Sequence, residues 1–198
     1  MNRSLVYLVF ILPFLTACPT SQRTNPAEKV KANHFNFTDP ELRAYKGIEF
    51  KLSELFEDSH YTEYVIKNDA LTKSIPEMNI HFSIEEFDEM DIDTYRFLRE
   101  KKGDEVEIVH DFYISSRLQT LIEGRKSIKR KLSSKVGFKG YLQNIDGGLG
   151  DDETTWSSYF VGSVLIDGKV YIFQMIGRKD VMYNFYDDFL KILESIEK

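Results

Sequence analysis

The chain has 198 residues, 42% of them hydrophobic and 14% aromatic, with 26 basic residues against 32 acidic ones and a single cysteine. A net charge of −6 excludes the strongly basic footprint of a nucleic-acid module and a surface drawn broadly to anionic lipid. One cysteine excludes an internal disulfide, a CxxC redox pair and a multi-cysteine metal centre, so burial alone must hold the fold, which is feasible because domains near 150 residues bury roughly 70% of their unfolded surface.

At the N-terminus, Arg3 supplies positive charge, Leu5 to Leu15 form an apolar core, and the small residues Thr16 and Ala17 stand directly before Cys18, the order that export requires. The apolar run is too short to span about 30 Å of hydrocarbon, which takes about 20 residues, and Pro13 interrupts it. Leu15-Thr16-Ala17-Cys18 resembles a bacterial lipobox. The resemblance implies cleavage before Cys18 and acyl chains on its sulfur and on the new N-terminus; the plainer alternative is an ordinary signal peptide cut at a neighbouring bond. Several acyl chains make a lasting anchor where one holds only marginally. Residues 1–17 are then a lipoprotein signal peptide, 18–45 a lipidated N-terminus and flexible tether, and 46–198 a single globular domain. Losing Arg3 with the signal leaves 25 basic against 32 acidic residues, a net −7.

From Pro19 to about Pro40 the composition is rich in Pro, Thr, Asn, Lys and Ala without apolar periodicity, as in a tether with a reach of roughly 25 Å. Gly47 to Leu52 is expected to open the sheet, with Tyr61 to Ile66 a weaker strand. Met78, Ile80, Phe82 and Ile84 alternate with polar residues, the period of a half-buried strand. Asp91 to Lys101 carries a helical stripe of Ile92, Tyr95 and Leu98. Residues 104–122 fit either a strand or a helix; helix is preferred because a strand would leave the sheet with less cover.

Arg125, Lys126, Lys129, Arg130, Lys131 and Lys135 are six basic residues in eleven. They read either as a patch for lipid headgroups, an acidic partner or an envelope polymer, or as an edge strand over Ser127 to Leu132 whose lysines discourage aggregation; the second reading is preferred. Val136 to Ile145 reads as a strand. The segment 146–153 places Asp146, Asp151, Asp152 and Glu153 around three glycines. It lacks the order of an EF-hand loop, so calcium is the weaker reading beside a plain connection.

Asp167-Gly168 separates two β-rich runs, Tyr159 to Ile166 and Lys169 to Ile176, by residues suited to a type I′ turn. Pairing outward sets Val164 opposite Tyr171, Gly162 opposite Phe173, with Gly162 making room for that ring, and Phe160 opposite Met175. Both faces are apolar, so the hairpin is expected at a central position, covered on each side. Val181, Phe185, Phe189, Ile192 and Ile196 form one helical stripe, with Asp180 as N-cap and Asp187–Lys191 and Glu194–Lys198 as exposed pairs.

The final third resembles the Mog1/PsbP-like group, which includes small bacterial lipoproteins of the DcrB type. Gly137-Phe138-Lys139-Gly140-Tyr141, the hairpin from Tyr159 to Gly177 with its Asp167-Gly168-Lys169-Val170-Tyr171 turn, and the helix from Phe185 to Ile196 carry the resemblance, which covers about 125–198 well and 47–124 loosely. It implies an α+β fold, an α/β/α sandwich around a mainly antiparallel sheet, and an assembly or binding role rather than catalysis.

Of the four histidines, His34, His60, His81 and His110, none has metal-ligand spacing. His81, Ser83 and Glu85 share one strand face, but begin about 6.6–6.8 Å apart, beyond proton-transfer reach, and are expected to form a solvated surface. Trp156, Tyr159, Tyr171, Tyr183 and Tyr186 read as core aromatics for the most part, with a ligand cleft the alternative. The resulting expectation is a non-enzymatic, lipid-anchored accessory or binding protein of the cell envelope, with no cofactor. It would sit on the periplasmic face of the inner or outer membrane, or on the outside of a single-membrane cell, with an envelope protein or polymer as partner. The alternatives are an envelope hydrolase using carboxylates of 146–153 with a histidine, and a calcium-binding module.

Overall fold

In a computed structural model, the structure describes residues 40–59, 69–87, 103–118, 123–126, 129–132, 137–148 and 153–197. Cys18, the tether up to residue 39, the segments 61–66 and 91–101, Lys135, Asp151 and Asp152 lie outside the described residues. Strand β1 (Pro40–Tyr45), within the span expected to be tether, pairs antiparallel with β2 (Ile48–Ser53) across a Lys46-Gly47 turn. Both turn residues have positive φ, 47° and 84°, the geometry of the tightest hairpins.

Among the described residues the main sheet holds eight strands in the order β3 (Glu57–Asp58), β4 (Leu71–Ile75), β5 (Ile80–Glu86), β10 (Lys169–Arg178), β9 (Ser157–Ile166), β8 (Lys139–Gly148) and β6 (Glu123–Lys126), with β7 (Arg130–Lys131) also on β8. All pairings are antiparallel. The β9–β10 hairpin occupies the centre, in the register expected from its turn: Val164 opposite Tyr171, Gly162 opposite Phe173 and Phe160 opposite Met175. Asp167 and Gly168 take φ of 52° and 77°, as a type I′ turn demands. Pairing with β5 on the far side of β10 sets Phe173 against Ile84 and Met175 against Phe82.

Because side chains alternate along each strand, the central strands supply two cores. On one face, Ile80, Phe82 and Ile84 of β5, Phe160 and Val164 of β9, and Phe173 and Met175 of β10 pack with Ile48, Phe50 and Leu52 of β2. Val181, Phe185, Phe189, Ile192 and Ile196 join them, so the predicted C-terminal stripe is buried as one face. The β1–β2 pair therefore does not open the main sheet. It is a separate two-stranded layer whose apolar side lies on the sheet, an arrangement that an alternating run satisfies as well as an edge position does. On the opposite face, α1 (Glu105–Phe112) and the π-helical turn that continues it (Tyr113–Leu118) bring Val106, Val109, Tyr113 and Ile114 onto Tyr141, Ile145, Val161 and Ile172. The helical reading of this segment holds: Asp104 caps α1 by accepting from the Val106 N–H. Ser115 and Ser116 bond back to the Phe112 carbonyl where the helix widens, a competition with the backbone that distorts helices.

The C-terminal helix is broken. α2 (Lys179–Met182) and α3 (Tyr186–Glu194) are separated by Tyr183, Asn184 and Phe185. Asp180 lies in the first turn of α2 while Arg178 is its N-cap, without a side-chain bond. The stripe survives because Phe185 N–H still bonds the Met182 carbonyl and Phe189 N–H the Phe185 carbonyl. Asp188, not Asp187, meets Lys191, at 3.3 Å. Gly162 makes room for Leu193 rather than Phe173: a Cβ there would sit 2.8 Å from a Leu193 methyl. Beyond α3, Glu49 and Glu197 exchange both backbone bonds, at 2.9 and 2.8 Å, fastening the end of the described chain to β2. Glu86, at the end of β5, meets Lys46 at 3.8 Å and Lys169 at 2.9 Å, so charges from both hairpin turns converge on it.

Candidate functional site

The helix α1 carries a polar cluster into the second core. His110 is fully buried, and its Nδ1 lies 2.8 Å from Ser163 Oγ, itself inaccessible on β9. Among the described residues Nε2 has no partner in hydrogen-bond geometry, although Gln143 stands close enough to favour the charged ring slightly. Burial pushes the imidazole down to about 4, with Asp111 and Glu107 pulling weakly the other way, so the ring is neutral near pH 7. A serine beside a neutral histidine is the pair expected of a nucleophile and its base, yet both side chains are sealed beneath α1. Tyr113 completes the layer by donating to Gln174 Oε1 at 2.5 Å. The cluster pairs only part of its polar atoms: among the described residues His110 Nε2 and the Gln174 amide nitrogen have no partner in hydrogen-bond geometry. Its sequence signal was the helical spacing of Val106, Val109, His110 and Tyr113, which places His110 on the apolar stripe.

His81 lies on β5, 3.1 Å from Asn79 Oδ1, and burial lowers its pKa. Ser83 and Glu85 are buried, so the polar face of β5 is not the solvated surface expected of it. Their register partners on β10 are Gln174 and Ile172, both buried.

The 146–153 segment is shorter as a connection than its composition suggested. β8 spans Lys139–Gly148 instead of 136–145, so Asp146 sits on a strand, where Ser158 donates to it at 2.6 Å and Lys179 lies at 4.0 Å. Lys179 also rests over the Trp156 ring, 5.0 Å from its centroid. Glu153 opens a 3₁₀ turn, Glu153–Thr155. Among the described residues no three carboxylates, histidines or cysteines converge on one point.

The basic run also divides. Arg125 and Lys126 lie on β6 and Arg130 and Lys131 on β7, two short edge strands in place of one strand over 127–132. Leu132 N–H bonds the Gly140 carbonyl, and a Cβ at Gly140 would fall 2.6 Å from both a Leu132 methyl and the Ser163 carbonyl, so this edge is held close to β8. Lys129 turns inward to Glu107 at 2.7 Å and Asp111 at 2.8 Å, over the Tyr141 ring. The Lys129 hydrogen bond holds Glu107 below the usual carboxylate range. Lys129 stays charged: burial opposes its charge, but the two carboxylates more than offset that and raise its pKa. Arg130 and Lys131 remain exposed.

A cleft of about 600 Å³ opens on the first face between strands β7–β9 and the α2–α3 break. Leu142 and Phe160 are its buried members, Arg130 and Asn144 flank it from the sheet, and Tyr183, Asn184, Tyr186 and Asp187 border it from the break. Tyr186 meets Phe160 edge to face at 5.6 Å and 88°. Tyr183 is 80% exposed. Of the aromatics singled out in the sequence, Trp156, Tyr159 and Tyr171 are core, while Tyr183 and Tyr186 line this cleft. The volume is that of a small-ligand site.

No protein-family profile matches this sequence, and no curated protein does so either. The chain is similar in structure to cyanobacterial PsbP (CyanoP) from Synechocystis sp. PCC 6803, with a TM-score of 0.52 at 12% identity over 83% of this chain and 95% of that one. It is also similar to a point variant of protein Mog1, with a TM-score of 0.50 at 8% identity over 80% of this chain and 95% of that one. The fold is the Mog1/PsbP-like α+β fold. At such identities the likeness speaks for the fold alone.

Proposed function

We propose that this is a lipid-anchored, non-enzymatic accessory or binding protein of the cell envelope, which presents its sandwich to another envelope component. The observation that carries the reading is the position of Cys18, the sole cysteine, directly after a charged residue, an apolar core and two small residues. Two further points support it. The described fold is compatible with a non-enzymatic accessory domain, and its Ser163–His110 contact lies sealed in the core.

Mass spectrometry of the processed protein tests the anchor: acyl chains on Cys18 are expected, and an unmodified or absent Cys18 refutes it. Crosslinking in intact envelopes followed by co-purification tests the binding role. A specific partner is expected, and an isolated protein that turns over an envelope substrate would overturn the reading.

A further inference from the structure

We infer that the cleft beside the α2–α3 break is a binding site for a neutral saccharide. The inference deepens the proposed binding role and rests on it. Its starting point is the break itself, which leaves Tyr183 outside the core at the border of a 600 Å³ opening. An exposed ring beside a cavity offers a flat apolar platform at low entropic cost, matched to the C–H face of a pyranose.

Around that platform stand side chains with planar polar ends: Arg130, Asn144, Asn184 and Asp187. Such groups pair with adjacent hydroxyls by donating and accepting in one plane. Among the described residues, Arg130 and Asp187 enter no ion pair, so each has hydrogen-bonding capacity to spend on a ligand. One cation and one anion leave the lining without net charge, which disfavours strongly charged ligands.

An extended peptide is the competing occupant, and the backbone argues against it. Peptides bind sheets chiefly by adding a strand to an open edge. Here Leu142, Asn144 and Phe160 belong to the β8–β9 ladder, and β7 pairs β8 at Leu142. Among the described residues, the edge strand that reaches the cleft is β7, only two residues long, too short to guide an added peptide strand, so the cleft offers mainly side chains over the face of a sheet, the mode suited to a ring of hydroxyls.

The processed full chain, in a detergent without sugar headgroups, is titrated with maltotriose and with the trisaccharide of N-acetylglucosamine, followed by calorimetry and saturation-transfer NMR. Trialanine serves as the peptide probe. Transfer to ring C–H protons of at least one sugar is expected, with affinity weakened about tenfold by Tyr183→Ala, little changed by Tyr183→Phe, and weakened several-fold by Asp187→Asn or Arg130→Gln. Tyr183→Ala should leave the melting temperature unchanged, since the ring is exposed. No transfer from either sugar at about 10 mM, where a millimolar site is largely filled, overturns the inference; so does undiminished binding by Tyr183→Ala, or trialanine binding as tightly as the sugars. Failure here leaves acylation of Cys18 and partner capture standing, and failure of those leaves the sugar titration intact.

Discussion

Replacing His110 by Gln removes a titrating group from the core while keeping a side chain able to bond Ser163, and should make the protein more tolerant of acid. Burial lowers the imidazole from 6.5 to about 4. Between those values the unfolded chain binds a proton that the folded one refuses, so stability contributed by the neutral ring is present above pH 6.5 and is lost as pH falls toward 4. About 1.4 kcal/mol per pKa unit gives a total of roughly 3–4 kcal/mol, of which about 2 kcal/mol has gone by pH 5. Urea unfolding at pH 7 and pH 5 measures it: the parent should lose about 2 kcal/mol more than His110→Gln over that interval. His81, also shifted down by burial, is common to both proteins and cancels. Equal losses in the two proteins, or an NMR midpoint for His110 at or above 6.5, would refute the reasoning.

Gly140→Ala should cost more than Gly162→Ala in thermal or urea unfolding, because its Cβ would fall 2.6 Å from the Ser163 backbone oxygen, which cannot move aside easily, whereas the nearest atoms to a Cβ at Gly162 are the ends of the Leu193 side chain. Overpacking of this kind costs about 1–3 kcal/mol, and Leu193→Ala should partly rescue Gly162→Ala in a double-mutant cycle but not Gly140→Ala. Lys129→Ala should destabilise by about 1–2 kcal/mol through loss of its two carboxylate partners, while neutralising Arg130 and Lys131 together should shift stability by no more than about 0.5 kcal/mol. Gly168→Ala, at φ 77°, should cost about 1 kcal/mol with the hairpin register unchanged.

The central hairpin was legible because its information is local: two positive-φ residues between alternating runs fix both turn and register. Its two apolar faces also forecast cover on both sides. The position of β2 was not legible, since Ile48, Phe50 and Leu52 bury one face equally well at a sheet edge or in a layer of their own. The break at Tyr183 escaped notice for a related reason, as Phe185 and Phe189 keep the helical period across it. Counting charges grouped Lys129 with its neighbours, although just ahead of β7 it reaches Glu107 and Asp111 on α1, a contact between distant segments that no local count registers. The cleft joins Arg130, Asn144, Phe160 and Tyr183 from four separate segments, and no spacing along the chain could bring them together.

The bridge between Glu49 and Glu197, with the pairing of residues 80–86 to residues 171–176, sets the order in which this molecule can mature. Strand β5 can pair with β4 at once, but its other neighbour is synthesised some ninety positions later, and the first hairpin is clasped only when Glu197 is available. Such distant pairings are slow to form. A polypeptide threaded N-terminus first through a translocation channel would gain from that delay, remaining extended and transportable until its last segment has crossed.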